Sequence, residues 1–244
     1  MKFEDRVRFL GSKFAEADFR MASLHSPQKV SFDHVSLEKA RLLHFDVRRV
    51  DLTDVKWARR PGGRFALWDE LAPEEEGAEK DYALIGQLYR RLKQNYEEQR
   101  DPITAGDFHF GEMHMRRLSN PPKDPLLRFL KRNLSFLALY RWISGYGEDY
   151  ALALGWIVAV IVGFATAFAY LPALALQTAP SSPPHPVHGL WPHLVYSVMC
   201  LLFRGDKPFV PVHFGGHCAS VVEGVIGAPL IAMFVLALNR RFKR

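Results

Sequence analysis

Residues 151–203 read ALALGWIVAVIVGFATAFAYLPALALQTAPSSPPHPVHGLWPHLVYSVMCLLF and contain no Asp, Glu, Lys or Arg. A soluble protein leaves so long a stretch uncharged only where it is core, and a single core helix is far shorter, so the block reads as membrane. Its punctuation gives the architecture. Pro172, and then Gln177 through Pro184, end the first apolar run in an uncharged loop. The run before that loop, about 150–171, is long enough to cross a hydrocarbon core of roughly 30 Å. The run after it, about 190–203, is too short to cross and suits a re-entrant helix. A third run, about 219–238, is again long enough and is followed by Asn239-Arg240-Arg241-Phe242-Lys243-Arg244. Residues 149–244 are therefore expected to form an α-helical membrane unit of two transmembrane helices with a re-entrant, pore-type helix between them.

Charge supports that reading and orients it. The chain has 244 residues and a net charge of +6, with an isoelectric point near 9.4 and a mean hydropathy of -0.08. Much of the basic excess flanks the apolar runs: Arg128, Lys131, Arg132 and Arg141 before the first, the terminal cluster after the last. Basic flanks mark the cytoplasmic side, so both termini are expected in the cytoplasm and the partner of the basic charge is a lipid bilayer, not nucleic acid. Met1-Lys2-Phe3-Glu4-Asp5-Arg6 has no apolar run, so no signal peptide is expected. Two cysteines, Cys200 and Cys218, provide no disulfide framework.

The N-terminal region has a period of five. Phe9, Phe14, Phe19 and Leu24 keep that spacing, and after an interruption at residues 25–29 it resumes with Phe32, Leu37, Leu42, Val47, Leu52 and Trp57. Two positions before most of them stands a small or β-branched residue, such as Ala17, Ala22, Val35, Ala40 and Val50. Neither a helix nor a strand explains this period. Ala17-Asp18-Phe19-Arg20-Met21 and Val50-Asp51-Leu52-Thr53-Asp54 resemble units of the pentapeptide-repeat family. That resemblance implies a right-handed, four-sided β-helix over residues 1–60, with roughly two to three coils. Basic residues mixed with its acids, including Arg41, Arg48 and Arg49, argue against the DNA mimicry of some family members and for a structural or assembly module.

A linker loop follows over 61–80, marked by Pro61-Gly62-Gly63 and Pro73. Leu84, Leu88, Leu92 and Tyr96 then make one helix face, widened by Ile85 and Tyr89, Asp101-Pro102 breaks it, and a second helix with Ala105, Phe108 and Met115 completes a cytoplasmic helical hairpin over 81–118. Residues 125–145 carry an apolar stripe of Leu127, Leu130, Leu134 and Leu137 beside Arg128, Lys131 and Arg132, the pattern of an interfacial amphipathic helix. The ordered set of Tyr89 to Gln99, Ala105 to Phe108, Glu112 to Arg117 and Ser144-Gly145-Tyr146-Gly147-Glu148 resembles bacterial pentapeptide-repeat proteins that end in an ion-channel-like domain. The resemblance implies a multi-domain protein of the bacterial inner membrane.

The span, half-span, span order also resembles the pore domain of two-span potassium channels, which assemble as tetramers. The filter-equivalent residues are Leu202, Phe203, Arg204, Gly205 and Asp206. Gly205 and Asp206 fit the end of the family pattern Thr-Val-Gly-Tyr-Gly-Asp, whereas Phe203 and Arg204 replace a glycine and the tyrosine. A potassium filter needs backbone carbonyls in conformations that glycine permits, so potassium selectivity is not expected. Glu223 inside the last run is a candidate pore-lining residue, with Gly227 one turn on; a ring of Glu223 would favour cations, while the alternative is a carboxyl kept wet near the outer interface. His185, His188, His193, His213 and His217 are read as outer-loop residues, with Cys218 beside the last. Imidazole and thiolate together suit Zn²⁺ or copper, and histidine titrates near neutral pH, so these are candidates for a metal or pH site.

The function expected is thus a channel-like membrane protein whose pore is made by a homo-oligomer, a tetramer by analogy. The alternative is a non-conducting sensor or scaffold whose cytoplasmic region binds a cytosolic protein. No nucleophile elbow, phosphate loop or metal-hydrolase spacing occurs, so neither enzymatic activity nor a cofactor is expected.

Overall fold

The computed structural model describes residues 2–3, 7–20, 22–24, 30–73, 80–171, 174–178, 185, 187–202 and 208–242. The chain forms two compact units, Met1–Leu139 and Tyr140–Lys243.

In the first unit, short strands lead into helices. The strands are β1 (Lys2–Phe3), β2 (Val7–Leu10), β3 (Ala17–Asp18), β4 (Ser23–Leu24), β5 (Val30–Asp33), β6 (Ala40–Arg41), β7 (Asp51–Thr53), β8 (Ala58–Arg59) and β9 (Phe65–Ala66). The period-five residues point inward: Val30, Phe32, Val35, Leu37, Ala40, Leu42, Phe45, Val47, Val50, Leu52 and Trp57 are all buried. Parallel pairing stacks like residues, with Phe9 opposite Phe32 and Phe32 opposite Leu52. The Phe9 and Phe32 rings stack at 4.8 Å.

The right-handed β-helix is not what these strands build. They form separate sheets, β1-β4, β2-β5-β7, β3-β6 and the antiparallel β8-β9, none closed or continued into a solenoid, and the chain as a whole is mostly helical. The physical reason is length. Strands of two to four residues, stacked at most three deep, cannot bury their own inward row. Helices complete the core instead.

Those helices are α1 (Trp68–Leu71), α2 (Tyr82–Glu98), α3 (Pro102–Leu118) and α4 (Pro125–Leu134), with α5 (Phe136–Ser144) running across the boundary between the units. Asp81 caps α2 by accepting from the Ala83 and Leu84 amides at 2.9 and 3.0 Å. Asp101 accepts from the Thr104 amide at 3.1 Å, and Pro102 begins α3, where its missing N–H costs nothing. Ile85, Leu88, Tyr89, Leu92 and Tyr96 of α2 meet Ala105, Phe108 and Met115 of α3 in one core with the repeat residues. Gly111 must be glycine, because a Cβ there would lie 2.4 Å from the Tyr89 ring.

Polar side chains bind the strands to this hairpin. Buried Asn95 donates from Nδ2 to the Val47 and Val50 carbonyls, both at 2.7 Å. Trp57 Nε1 donates to the Tyr96 hydroxyl at 2.9 Å. The Tyr89 hydroxyl accepts from the Leu67 amide at 2.8 Å and donates to Glu70 at 2.5 Å, while Arg60 pairs with the same carboxylate. Asp69 accepts from the Leu42 and Leu43 amides at 2.9 and 3.1 Å. Glu112 of α3 receives Arg90 at 2.9 Å and Lys93 at 3.1 Å from α2, with His109 alongside. Burial pushes the Glu112 carboxyl up, but the bonds from His109, Lys93 and Arg90 outweigh it and hold it down at about 2.

The second unit contains α6 (Tyr150–Tyr170), β10 (Leu176–Thr178), α7 (Leu190–Leu202), β11 (Phe209–Pro211) and α8 (Phe214–Phe242). Ser144-Gly145-Tyr146-Gly147 makes a tight turn before α6, with Gly145, Tyr146 and Gly147 at φ of 54°, 61° and 79°. The Ser144 hydroxyl oxygen accepts from the Gly147 amide at 3.1 Å. Among the described residues, two helices are long and apolar enough to span a membrane: Tyr150–Tyr170 and Phe214–Asn239, each with an apolar window of mean hydropathy 2.3. Only 22% of either window is buried within the chain, so neither is the enclosed core helix of a soluble protein. At 13 residues, α7 is about 20 Å long and does not reach across. β10 and β11 pair antiparallel, Leu176 opposite Pro211 and Thr178 opposite Phe209, which ties together the chain entering and leaving α7.

Two outcomes follow for the first unit. Asn95→Ala strands two buried carbonyls and is expected to cost about 1–3 kcal/mol, read as faster amide exchange in α2 and around Val47 in the full chain; unchanged exchange would reject the anchoring role. Because folding depresses the Glu112 carboxyl, its stabilisation is complete above the ordinary 4.5 and is lost as pH falls towards 2. Glu112→Gln is expected to flatten the fall of thermal midpoint over that window and to leave a lower midpoint at neutral pH.

Candidate functional site

Two buried polar residues of the second unit, Ser197 and Glu223, lie along the seam where α7 packs against α6 and α8. Polar residues in an apolar helix trio are costly unless they find one another. Here they do. Glu223 of α8 and Ser197 of α7 are both 0% exposed. The Ser197 hydroxyl is shared between the Ile161 carbonyl oxygen of α6, at 3.0 Å, and Glu223 Oε1. One turn towards the α8 start, the Tyr196 and Ser220 hydroxyls meet at 2.7 Å, and Ser220 donates to the Gly216 carbonyl at 2.8 Å. Cys200 is buried beside them, packed with Tyr196, Phe168 and Leu176.

Small residues let this seam close. A Cβ at Gly227 would lie 2.7 Å from Leu201 of α7, one at Gly224 would sit in ordinary contact 3.7 Å from the Cys200 carbonyl oxygen, and one at Gly216 would lie 2.6 Å from Pro211 of β11. Gly216, Ser220, the adjacent pair Glu223 and Gly224, and Gly227 recur on one side of α8 at intervals of three or four residues. Phe168 and Tyr196 add an edge-to-face ring contact at 5.2 Å between α6 and α7.

The structure distributes the sequence candidates unevenly. Leu202 ends α7 and is exposed. Phe203, Arg204, Gly205 and Asp206 lie outside the described residues. Glu223 and Gly227 share one face but are both enclosed against α7 within a single chain. Of the histidines, His185, His188, His213 and His217 are exposed, whereas His193 is buried in α7 with Nδ1 2.6 Å from the Gly189 carbonyl oxygen. His217 and exposed Cys218 stand in the first turns of α8, which begins at Phe214, earlier than the apolar run in the sequence. Hydropathy placed that boundary late because Gly215, Gly216 and polar His217 occupy the opening turns, although backbone hydrogen bonding is indifferent to them. Among the described residues, no three His, Cys, Asp or Glu side chains come together in a way that could hold a metal ion.

Ser197, Tyr196 and Ser220 were missed by sequence reasoning. Their signal was present: a polar or small residue at each of positions 216, 220, 223, 224 and 227 of an otherwise apolar helix. Identifying the partners on α7 required the tertiary packing. No protein-family model, no curated protein and no solved structure matches this chain.

Ser197→Ala deletes the α7 hydroxyl that meets the carboxyl, and a cost of about 1–3 kcal/mol is expected, whereas Glu223→Gln keeps an oxygen that accepts from Ser197 and is expected to cost less. Thermal unfolding of the full chain in neutral detergent checks both. A Ser197→Ala midpoint equal to that of the native chain would mean that the bond does not hold α7 in place.

Proposed function

We propose that this chain is an integral protein of the bacterial inner membrane, with both termini cytoplasmic, whose second unit is a channel-like pore element completed by further copies of the same chain. The observation supporting this reading is α7. A helix of half-membrane length, packed between two helices of full length and tied at both ends by β10 and β11, belongs to architectures in which non-spanning backbone is sheltered by protein at membrane depth. One such unit encloses no conduit. The exposed apolar residues of α6 and α8, among them Val158, Val162, Val221, Val225 and Leu236, provide faces for lipid and for neighbouring copies. The first unit then stands on the cytoplasmic side as the regulatory or assembly module. Phe203 and Arg204 in the filter-equivalent position favour a pore without potassium selectivity, and a ring of Arg204 would hinder cations at its mouth.

A second reading draws on a different observation. Glu223 and Gly227 are both used in holding α7 to α8 inside one chain. A unit whose polar groups are consumed by its own packing suits a non-conducting membrane anchor, with the first unit recruiting a cytosolic protein.

Mass in detergent and planar-bilayer recording of the purified full chain separate the two. The pore reading expects a tetramer that conducts, with Arg204→Ala raising cation current. A monomer, or an oligomer silent across applied voltages, overturns the pore and leaves the anchor.

A further inference from the structure

The second place where the chain asks for a partner is α4. None of its ten residues is buried, although Leu126, Phe129 and Leu134 are 65%, 60% and 72% exposed. Placed at 100° per residue, Leu126, Leu127, Phe129, Leu130 and Leu134 occupy one side of the helix, and Arg128, Lys131 and Arg132 the other. The basic side closes a pocket of about 210 Å³ against the end of α3, lined by Arg117, Pro121, Pro122, Arg128, Lys131 and Arg132 among others, with no carboxylate among the described lining residues.

The hydrogen bonds that shape this pocket go to neutral acceptors. Arg117 Nη1 donates to the Arg132 carbonyl at 2.6 Å, Arg128 Nε to the Pro122 carbonyl at 3.2 Å, and Lys131 Nζ to the Asn120 carbonyl at 2.7 Å. The bonds of Arg128 and Lys131 orient those cations without neutralising them. Arg128, Lys131 and Arg132 are three like charges beside one hollow that repel one another, and an anion among them reduces that penalty. Guanidinium forks and an ammonium suit the oxygens of a phosphate.

We infer that this pocket holds the phosphate of an anionic phospholipid headgroup while the apolar side of α4 enters the acyl boundary of the same leaflet. Charge and apolar exposure on opposite sides of one helix fit a bilayer surface, where both are satisfied together. Along the sequence, only α5 and the turn at residues 145–149 separate α4 from the first span-length helix, Tyr150–Tyr170. The inference rests on the membrane reading of α6 and α8 and is independent of conduction.

The test uses the purified full chain in neutral detergent, titrated separately with phosphatidylglycerol, phosphatidylcholine and inorganic phosphate. Bound lipid is counted by native mass spectrometry and the thermal midpoint is followed in parallel. Phosphatidylglycerol is expected to bind and raise the midpoint, with phosphatidylcholine and phosphate much weaker. The triple variant Arg128→Gln, Lys131→Gln, Arg132→Gln is expected to bind phosphatidylglycerol about a hundredfold more weakly. A charge-matched control, Arg48→Gln, Arg49→Gln, Lys56→Gln, is expected to bind as the native chain does. Should the triple variant fail to fold, Lys131→Gln alone is expected to show about a fivefold loss. Native-like binding by the pocket variants, equal loss in the control, or equal binding of phosphatidylcholine overturns the inference. Equal binding of inorganic phosphate overturns the lipid as occupant. A chain that never conducts but passes this test would fail only the pore reading.

Discussion

The Ser197–Glu223 hydrogen bond secures the least self-sufficient element of the second unit. α7 is too short to cross a membrane, and a short apolar helix has no reason of its own to stay between two longer ones. Dispersion and ring contacts with α6 supply attraction, the β10–β11 pairing ties the chain on either side of α7, and the Tyr196–Ser220 contact joins it to α8. The Ser197 hydroxyl, shared between an α6 carbonyl and an α8 carboxyl, adds a bond to each neighbour at one point. Gly227 lets Leu201 of α7 lie close against α8, where a Cβ would come within 2.7 Å of it.

The first unit solves a similar problem with different chemistry. Its strands are too short and its stack too shallow to bury the inward row unaided. The α2–α3 hairpin provides the missing cover, and the joint is polar as well as apolar. Asn95 satisfies two carbonyls of the repeat region, and Tyr89, Arg60 and Glu70 link the β8–β9 segment to α2. Each buried polar atom in that joint has to be matched, so the joint specifies one docking geometry where an oily face alone would accept several.

Much of this was legible residue by residue. The period of five marked the buried positions from Val30 to Trp57, because inward-facing side chains must be apolar whatever closes the core around them. The same period suggested a β-helix, and there it misled: a repeat tells which residues face inward, not whether enough layers exist to form a solenoid. Ile85, Leu88, Tyr89, Leu92 and Tyr96 announced the buried face of α2, whereas Asn95 required knowledge of what the helix packs against. Glu223 stood out as a carboxyl in an apolar run, yet its partner lies on another helix and carries only a serine, a residue common enough to give no warning.

The sequence alone determined where the charge-free segments lie, which are long enough to span and which one is not, since length and hydropathy depend on composition along a single helix. It also determined the basic and apolar sides of α4, since the helical period assigns each residue its side. Only the tertiary structure decided that Glu223 turns inward to Ser197, that the five candidate histidines form no metal-holding cluster, and that four cations of α3 and α4 line one pocket. Those facts depend on distances between elements remote in the chain, and such distances are set by packing, which no local pattern encodes.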